Sequence, residues 1–295
     1  MTSSRKLVWF LLFVAAGPLA RGAESIPVGP GEVECDLGGA KIVVHTYKPA
    51  SYKGGPLILV FHGMLRNGGE YRDHSKGMAD RFGAIVAAPD FDSKRFPNWK
   101  YNRGGLVRPD GSVAPKEEWT WSLIQPLAKR LRELEDRPEL PFYLVGHSAG
   151  GQFVGRMTAF VDSGAAGIVA ANPSAWVFPD RERDYPYGFG KLPDEIAGDD
   201  ALRLYLARPL TIFLGGNDDQ RDSDLDKSKE ADLQGENRLV RGKHAYDAAR
   251  KLAKVKGWEF RWRLVEAPGV GHDHGLMFDS PACATALFGP DDESP

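Results

Sequence analysis

The chain of 295 residues contains only two cysteines, Cys35 and Cys283, and neither a C-x-x-C motif nor a His/Cys cluster. A disulfide-dense scaffold and a structural zinc module are therefore excluded, and no metal or organic cofactor is expected. No basic stripe is present. Thirty-eight Lys and Arg face forty Asp and Glu, for a net charge of −2, and the sequence pI is about 6.4. Nucleic acid is not an expected partner. The one candidate N-glycosylation triplet, Asn172-Pro173-Ser174, carries the forbidden proline. Internal repeats and low-complexity linkers are absent, which excludes a solenoid and a string of modules.

Apolar runs long enough to span a bilayer are also missing. The longest, around Leu7-Val8-Trp9-Phe10-Leu11-Leu12-Phe13-Val14-Ala15-Ala16, is too short. It follows Arg5 and Lys6 and precedes small residues up to Ala20 and Ala23, the layout of a secretory signal peptide. Residues 1–23 are read as that signal and 24–295 as one domain, exported and without stable membrane association once the signal is removed. In an oxidising compartment Cys35 and Cys283 are able to pair, and the sequence leaves open whether they do.

What is present is ordinary globular composition, 42% hydrophobic and 26% charged, enough for one large α/β domain. Strand-like runs alternate with helical ones, which predicts a mainly parallel central sheet with helices on both faces. The predicted strands are Lys41–Tyr47, Leu57–His62, Ala84–Ala88, Phe142–Val145, Gly167–Ala171, Leu210–Leu214 and Glu259–Val265. Those from 57 to 214 are continuously apolar, as strands buried on both faces are. The last alternates, which fits a strand nearer an edge. Helical periodicity covers Trp121–Glu135, Ser148–Val161 and Arg238–Val255. Two segments lack periodicity. One is a loop insertion at about 92–118, with a turn at Pro109-Asp110-Gly111; the other is Trp176–Pro193. Their aromatics Trp99, Tyr101, Trp176, Tyr185 and Tyr187 either line a substrate pocket or pack the loops down.

The most informative stretch is Phe142-Tyr143-Leu144-Val145 followed by Gly146-His147-Ser148-Ala149-Gly150. A buried-strand pattern running into G-x-S-x-G and then a helix is the layout of a nucleophile elbow. The glycines are required because strand and helix crowd the turn. The pentapeptide alone arises by chance in roughly one chain in ten of this length, so the rest of the chain must supply the partners. A serine nucleophile needs a base, and the base needs an orienting group. In an elbow protein they follow in the order Ser, acid, His, each past the carboxyl end of a strand. Thr211-Ile212-Phe213-Leu214 ends in Gly215-Gly216-Asn217-Asp218-Asp219, which makes Asp218 the favoured acid and Asp219 its rival. Pro268-Gly269-Val270-Gly271 leads to His272 as base, with His274 as the alternative. For the oxyanion, the expected donors are the backbone N–H groups of Ala149 and of Met64, which follows Phe61-His62-Gly63. His62 is expected to order that loop. Arg66 and Asn67 follow it, where they are placed to meet a polar substrate group. Asp222, Asp224 and Asp226 alternate, but Lys227 and Leu233 occupy positions that an EF-hand gives to Gly and Glu. The expectation there is a solvated loop, with a less regular calcium site as the alternative.

The early-strand His62-Gly63, the elbow at Ser148, the acid and the histidine, in this order between Leu57 and Phe278, resemble the α/β-hydrolase superfamily of serine hydrolases. Phe61-His62-Gly63-Met64, Gly146-His147-Ser148-Ala149-Gly150-Gly151-Gln152, Ala171-Asn172-Pro173 and Gly269-Val270-Gly271-His272 more narrowly resemble secreted bacterial esterases grouped with polyhydroxybutyrate depolymerases and feruloyl esterases. The resemblance implies an α/β-hydrolase fold and hydrolysis of a small-molecule or oligomeric ester through an acyl-enzyme. It implies Ser148, His272 and Asp218 as the triad. The rival readings are a serine peptidase on the same scaffold and an exported binding protein without turnover.

Overall fold

The computed structural model describes residues 25–290; the expected signal peptide lies outside them. Eight strands form one sheet: β1 (Gly29–Asp36), β2 (Lys41–Lys48), β3 (Leu57–Phe61), β4 (Ile85–Pro89), β5 (Phe142–His147), β6 (Gly167–Ala171), β7 (Leu210–Gly215) and β8 (Arg263–Ala267). Their spatial order is β1-β2-β4-β3-β5-β6-β7-β8. The strands from β3 to β8 pair in parallel, while β1 and β2 form an antiparallel flap that joins β4.

The helices are α1 (Gly68–His74), α2 (Lys76–Phe82), α3 (Ile124–Leu134), α4 (Ala149–Phe160), α5 (Asp194–Ala197), α6 (Asp199–Ala207), α7 (Lys229–Asp232), α8 (Arg238–Lys256), α9 (His274–Asp279) and α10 (Ala282–Phe288). Strand periodicity sorts the core. On β3, Leu57, Leu59 and Phe61 face the layer of α3, α4, α6 and α8. Ile58 and Val60 face α1, α2, α9 and α10. Both faces are covered, which is why the central strands read as unbroken apolar runs.

The structure departs from the sequence reading at both sheet edges. β1 was not expected: its Gly-Pro-Gly start has the composition of a turn, and only Cys35 among its residues is fully buried. At the other edge the strand begins at Arg263, not Glu259. Trp262 donates its indole N–H to the Tyr205 carbonyl, and Phe260 packs on Tyr246 of α8. The Arg261 N–H goes to the Leu206 carbonyl. The alternation at 259–262 thus reflects packing on helices rather than a ladder. β8 itself is half-buried with Glu266 exposed, as expected near an edge.

The cysteines do not pair. Cys35 and Cys283 are free thiols in hydrophobic clusters on opposite faces of the sheet. Burial raises the first thiol to about 11 and the second to about 12, so both stay protonated and unreactive.

Candidate active site

The turn from β5 into α4 holds Ser148 at φ 56° and ψ −116°, a backbone conformation that a side chain adopts only under strain. The surroundings enforce it. A Cβ on Gly146 would lie 2.1 Å from the Gly150 carbonyl oxygen, and one on Gly150 would lie 2.1 Å from that of Phe61. The Ser148 N–H donates to the Ala171 carbonyl at 2.9 Å, tying the elbow to β6. Its side chain points into an open cleft of about 210 Å³ that Met64, Glu70, His272 and His274 help to line.

His272 Nε2 lies 3.1 Å from Ser148 Oγ, and His272 Nδ1 lies 2.7 Å from Asp218 Oδ2. A carboxylate accepts only, so Nδ1 carries the proton and Nε2 presents a lone pair to the serine hydroxyl. Asp218, only 2% exposed, is the acid in contact; Asp219 instead accepts from the Gln220 amide. His274, the alternative base, is turned away. It stacks on Tyr71 at 3.9 Å between ring centroids and meets His74 at 2.8 Å.

Met64 sits on the cleft wall. Ala149 is the first residue of α4, where a helix N–H has no intrahelical acceptor. The Met64 loop is ordered by His62, as expected. His62 Nε2 accepts from the Phe91 N–H and Nδ1 donates to the Gly63 carbonyl, both at 3.1 Å. Burial lowers its pKa to about 4, which keeps this tautomer neutral. Arg66 does not face the cleft: its guanidinium lies 4.1 Å over the Tyr101 ring and donates to the Phe91 carbonyl and to Asn98. Asn67 does line the cleft, where its amide donates to Glu70.

The aromatics of the irregular segments pack the loops rather than line this cleft. Tyr101 is buried and donates to the His62 carbonyl, and Trp176 and Tyr187 are buried as well. The acidic loop is not simply solvated either. Asp222 takes a bidentate pair from Arg238 at 2.7 and 2.8 Å, which lowers its pKa to about 2. Asp226 accepts from the Tyr187 hydroxyl.

Four further residues support the site; Arg238 and Tyr71 had no sequence signal, while His147 and Asn172 stood in recognised motifs without an assigned role. Arg238, fully buried at the start of α8, also donates to Asp218 Oδ1 at 3.2 Å, so the buried carboxylate has a cationic partner behind it. Tyr71 places its hydroxyl 3.3 Å from His147 Nδ1 and packs so close to Gly63 that a Cβ there would lie 2.9 Å from the hydroxyl. His147 is itself fully buried, 4.6 Å from His272 between ring centroids, and burial keeps it neutral. Asn172 accepts the Gly215 N–H at 2.8 Å and donates to the Gly271 carbonyl at 3.3 Å, joining the loops that carry Asp218 and His272.

No protein-family model and no curated protein matches the chain. Solved structures do. Poly(aspartic acid) hydrolase-1 from Sphingomonas sp. KT-1 superposes with a TM-score of 0.80 at 33% identity, over 85% of this chain and 96% of that one. LpqC, a poly(3-hydroxybutyrate) depolymerase from Bordetella parapertussis, superposes with a TM-score of 0.80 at 32% identity, over 88% and 90%. The siderophore hydrolase EstB from Aspergillus nidulans, at 16% identity and a TM-score of 0.53, shares the fold.

Proposed function

Because the chain belongs to the α/β-hydrolase superfamily, we propose that it is an exported serine esterase using Ser148, His272 and Asp218. The carrying observation is the continuous chain of hydrogen bonds from Asp218 through His272 to Ser148. In this reading Ser148 Oγ attacks the ester carbonyl carbon while His272 Nε2 takes the hydroxyl proton. The carbonyl oxygen becomes an oxyanion, held by the N–H groups of Met64 and Ala149. The C–O bond to the alcohol breaks as His272 returns the proton to the leaving oxygen. Water then attacks the acyl-serine, again losing its proton to His272, and the acid departs as Ser148 regains its hydrogen. Asp218 holds the imidazole tautomer and stabilises the transient imidazolium. Secretion fits the composition of residues 1–23. No helix among the described residues is long and apolar enough to cross a membrane.

A second reading, amide cleavage, is favoured by the 33% identity to a hydrolase of poly(aspartic acid), a polyamide. The charge of the cleft argues for the ester. Its wall carries Glu70 and Asp224 and no lysine or arginine, so a polyanion would enter against like charge. The lip is apolar, with Met64 45% and Leu65 85% exposed. p-Nitrophenyl esters of graded acyl length, peptide anilides and poly(aspartic acid) separate the two. Ester turnover exceeding anilide and polyaspartate turnover is expected; the reverse order supports the amide reading.

A further inference from the structure

Beside the serine, the cleft carries a second cluster that the proposed hydrolysis does not use. Glu70 and His74 stand one turn apart on α1, the i, i+4 spacing that puts two side chains on one helix face. His274, 200 positions away at the start of α9, completes the group. His74 Nδ1 lies 2.8 Å from His274 Nε2, and Glu70 Oε1 lies 4.0 Å from the same nitrogen. One ligand atom from each of the three side chains falls within 4.8 Å of the other two.

We propose that Glu70, His74 and His274 form a binding site for a borderline divalent transition metal of the Zn²⁺ class at the mouth of the cleft. Two imidazoles and a carboxylate are a zinc-type donor set that leaves a fourth position open. Calcium and magnesium, which require six or more oxygen ligands or a rigid octahedron, do not fit it. Tetrahedral zinc with bonds of about 2.0–2.1 Å separates its ligand atoms by about 3.3–3.4 Å. The histidine nitrogens must therefore part by about half an ångström, and Glu70 must close by about 0.6 Å on His274 and by up to about 1.4 Å on His74. Glu70 and His74 are exposed and able to make that adjustment. The remaining members are already oriented. His274 is clamped against the Tyr71 ring at an interplanar angle of 4°. The Asn67 amide holds Glu70 Oε2 at 2.5 Å, leaving Oε1 toward the imidazoles. Such outer contacts are what orient metal ligands. Whichever histidine donates in the present hydrogen bond moves that proton to its other ring nitrogen and offers the lone pair to the ion. Glu70 and His274 are also cleft wall, so the ion shares the opening with Ser148.

The test is direct binding to the full chain, which does not depend on any hydrolytic activity. Zn²⁺ is followed by isothermal titration calorimetry and Co²⁺ by its visible d–d absorption. The expected result is one ion per chain, tetrahedral Co²⁺ bands, and no competition from Ca²⁺. His74→Ala should weaken Zn²⁺ binding at least about tenfold, since losing even an outer contact commonly costs that much. Glu70→Gln, an exposed isosteric change, should weaken binding in the same direction and serves if His74→Ala does not fold. Absence of Zn²⁺ uptake by the unaltered chain, or equal affinity in the unaltered chain and the folded variants, overturns the proposal.

Discussion

The two walls of the cleft present the same residue type in opposite settings. His272 and His274 are separated by a single residue, yet one points between Ser148 and Asp218 and the other between Tyr71 and His74. The His272 wall rests on a charge sequence, buried Asp218 backed by buried Arg238 and then by the partly exposed Asp222. The His274 wall rests on ring stacking and an exposed helix end. Neither spacing nor residue type distinguishes them; the difference lies in what each loop turn meets across the sheet. A carboxylate at 2.7 Å orients an imidazole for proton transfer. An aromatic face and a second imidazole hold one still without giving it a nucleophile.

The sharpest way to break this contrast is to remove each histidine in turn. His272→Ala should lower kcat for an activated ester by about 10⁴–10⁶-fold, the loss typical of a missing triad member, whereas His274→Ala should cost at most about tenfold. Comparable losses would erase the distinction between the walls. Next in size is the acid. Asp218→Asn should lower kcat about 10⁴-fold by favouring the wrong tautomer, and Asp219→Asn should leave it within a factor of about two. An inverted result would move the triad by one residue.

Arg238→Met probes the support behind the acid. It leaves Asp218 buried without its cation, so thermal unfolding and urea titration should show a loss of about 3–5 kcal/mol. An unchanged midpoint would mean that the Arg238–Asp218 contact contributes nothing.

A smaller effect concerns pH. Burial holds His62 at about 4 and His147 well below 6.5, and His274 is lowered to about 4. The unfolded chain protonates all three near 6.5. Between 6.5 and 4 it therefore binds more protons than the folded chain, so stability is full above 6.5 and falls on acidification through that window. Urea midpoints at pH 7 and pH 5 check this; a midpoint at pH 5 equal to or above that at pH 7 contradicts it.

The same contrast explains what the sequence made legible. The central strands and the elbow are specified by local signals. Apolar runs mark strands buried on both faces, and the Gly146 and Gly150 pair marks a turn with no room for side chains. Chain order points to Ser148 and narrows its partners to Asp218 or Asp219 and to His272 or His274, because each sits just beyond a strand end; only the hydrogen bonds single out Asp218 and His272. What stayed hidden depends on partners remote in sequence. Arg238 reads as a surface cation on α8 until Asp218 and Asp222 close over it. Tyr71 is an ordinary helix residue until His147 and Gly63 arrive. Glu70 and His74 show helical spacing, but the third member comes from the far end of the chain. β1 has little apolar signal because Gly-Pro-Gly opens it and acidic Glu32, Glu34 and Asp36 leave only Val33 and Cys35 between them.

Treatment with a fluorophosphonate, followed by mass mapping of the adduct, is the most direct measurement. One covalent phosphonyl group on Ser148 is expected, formed rapidly in the unaltered chain and at least about 10³-fold more slowly in His272→Ala. An unlabelled Ser148 in the folded protein, or labelling that proceeds at the same rate without His272, would contradict it.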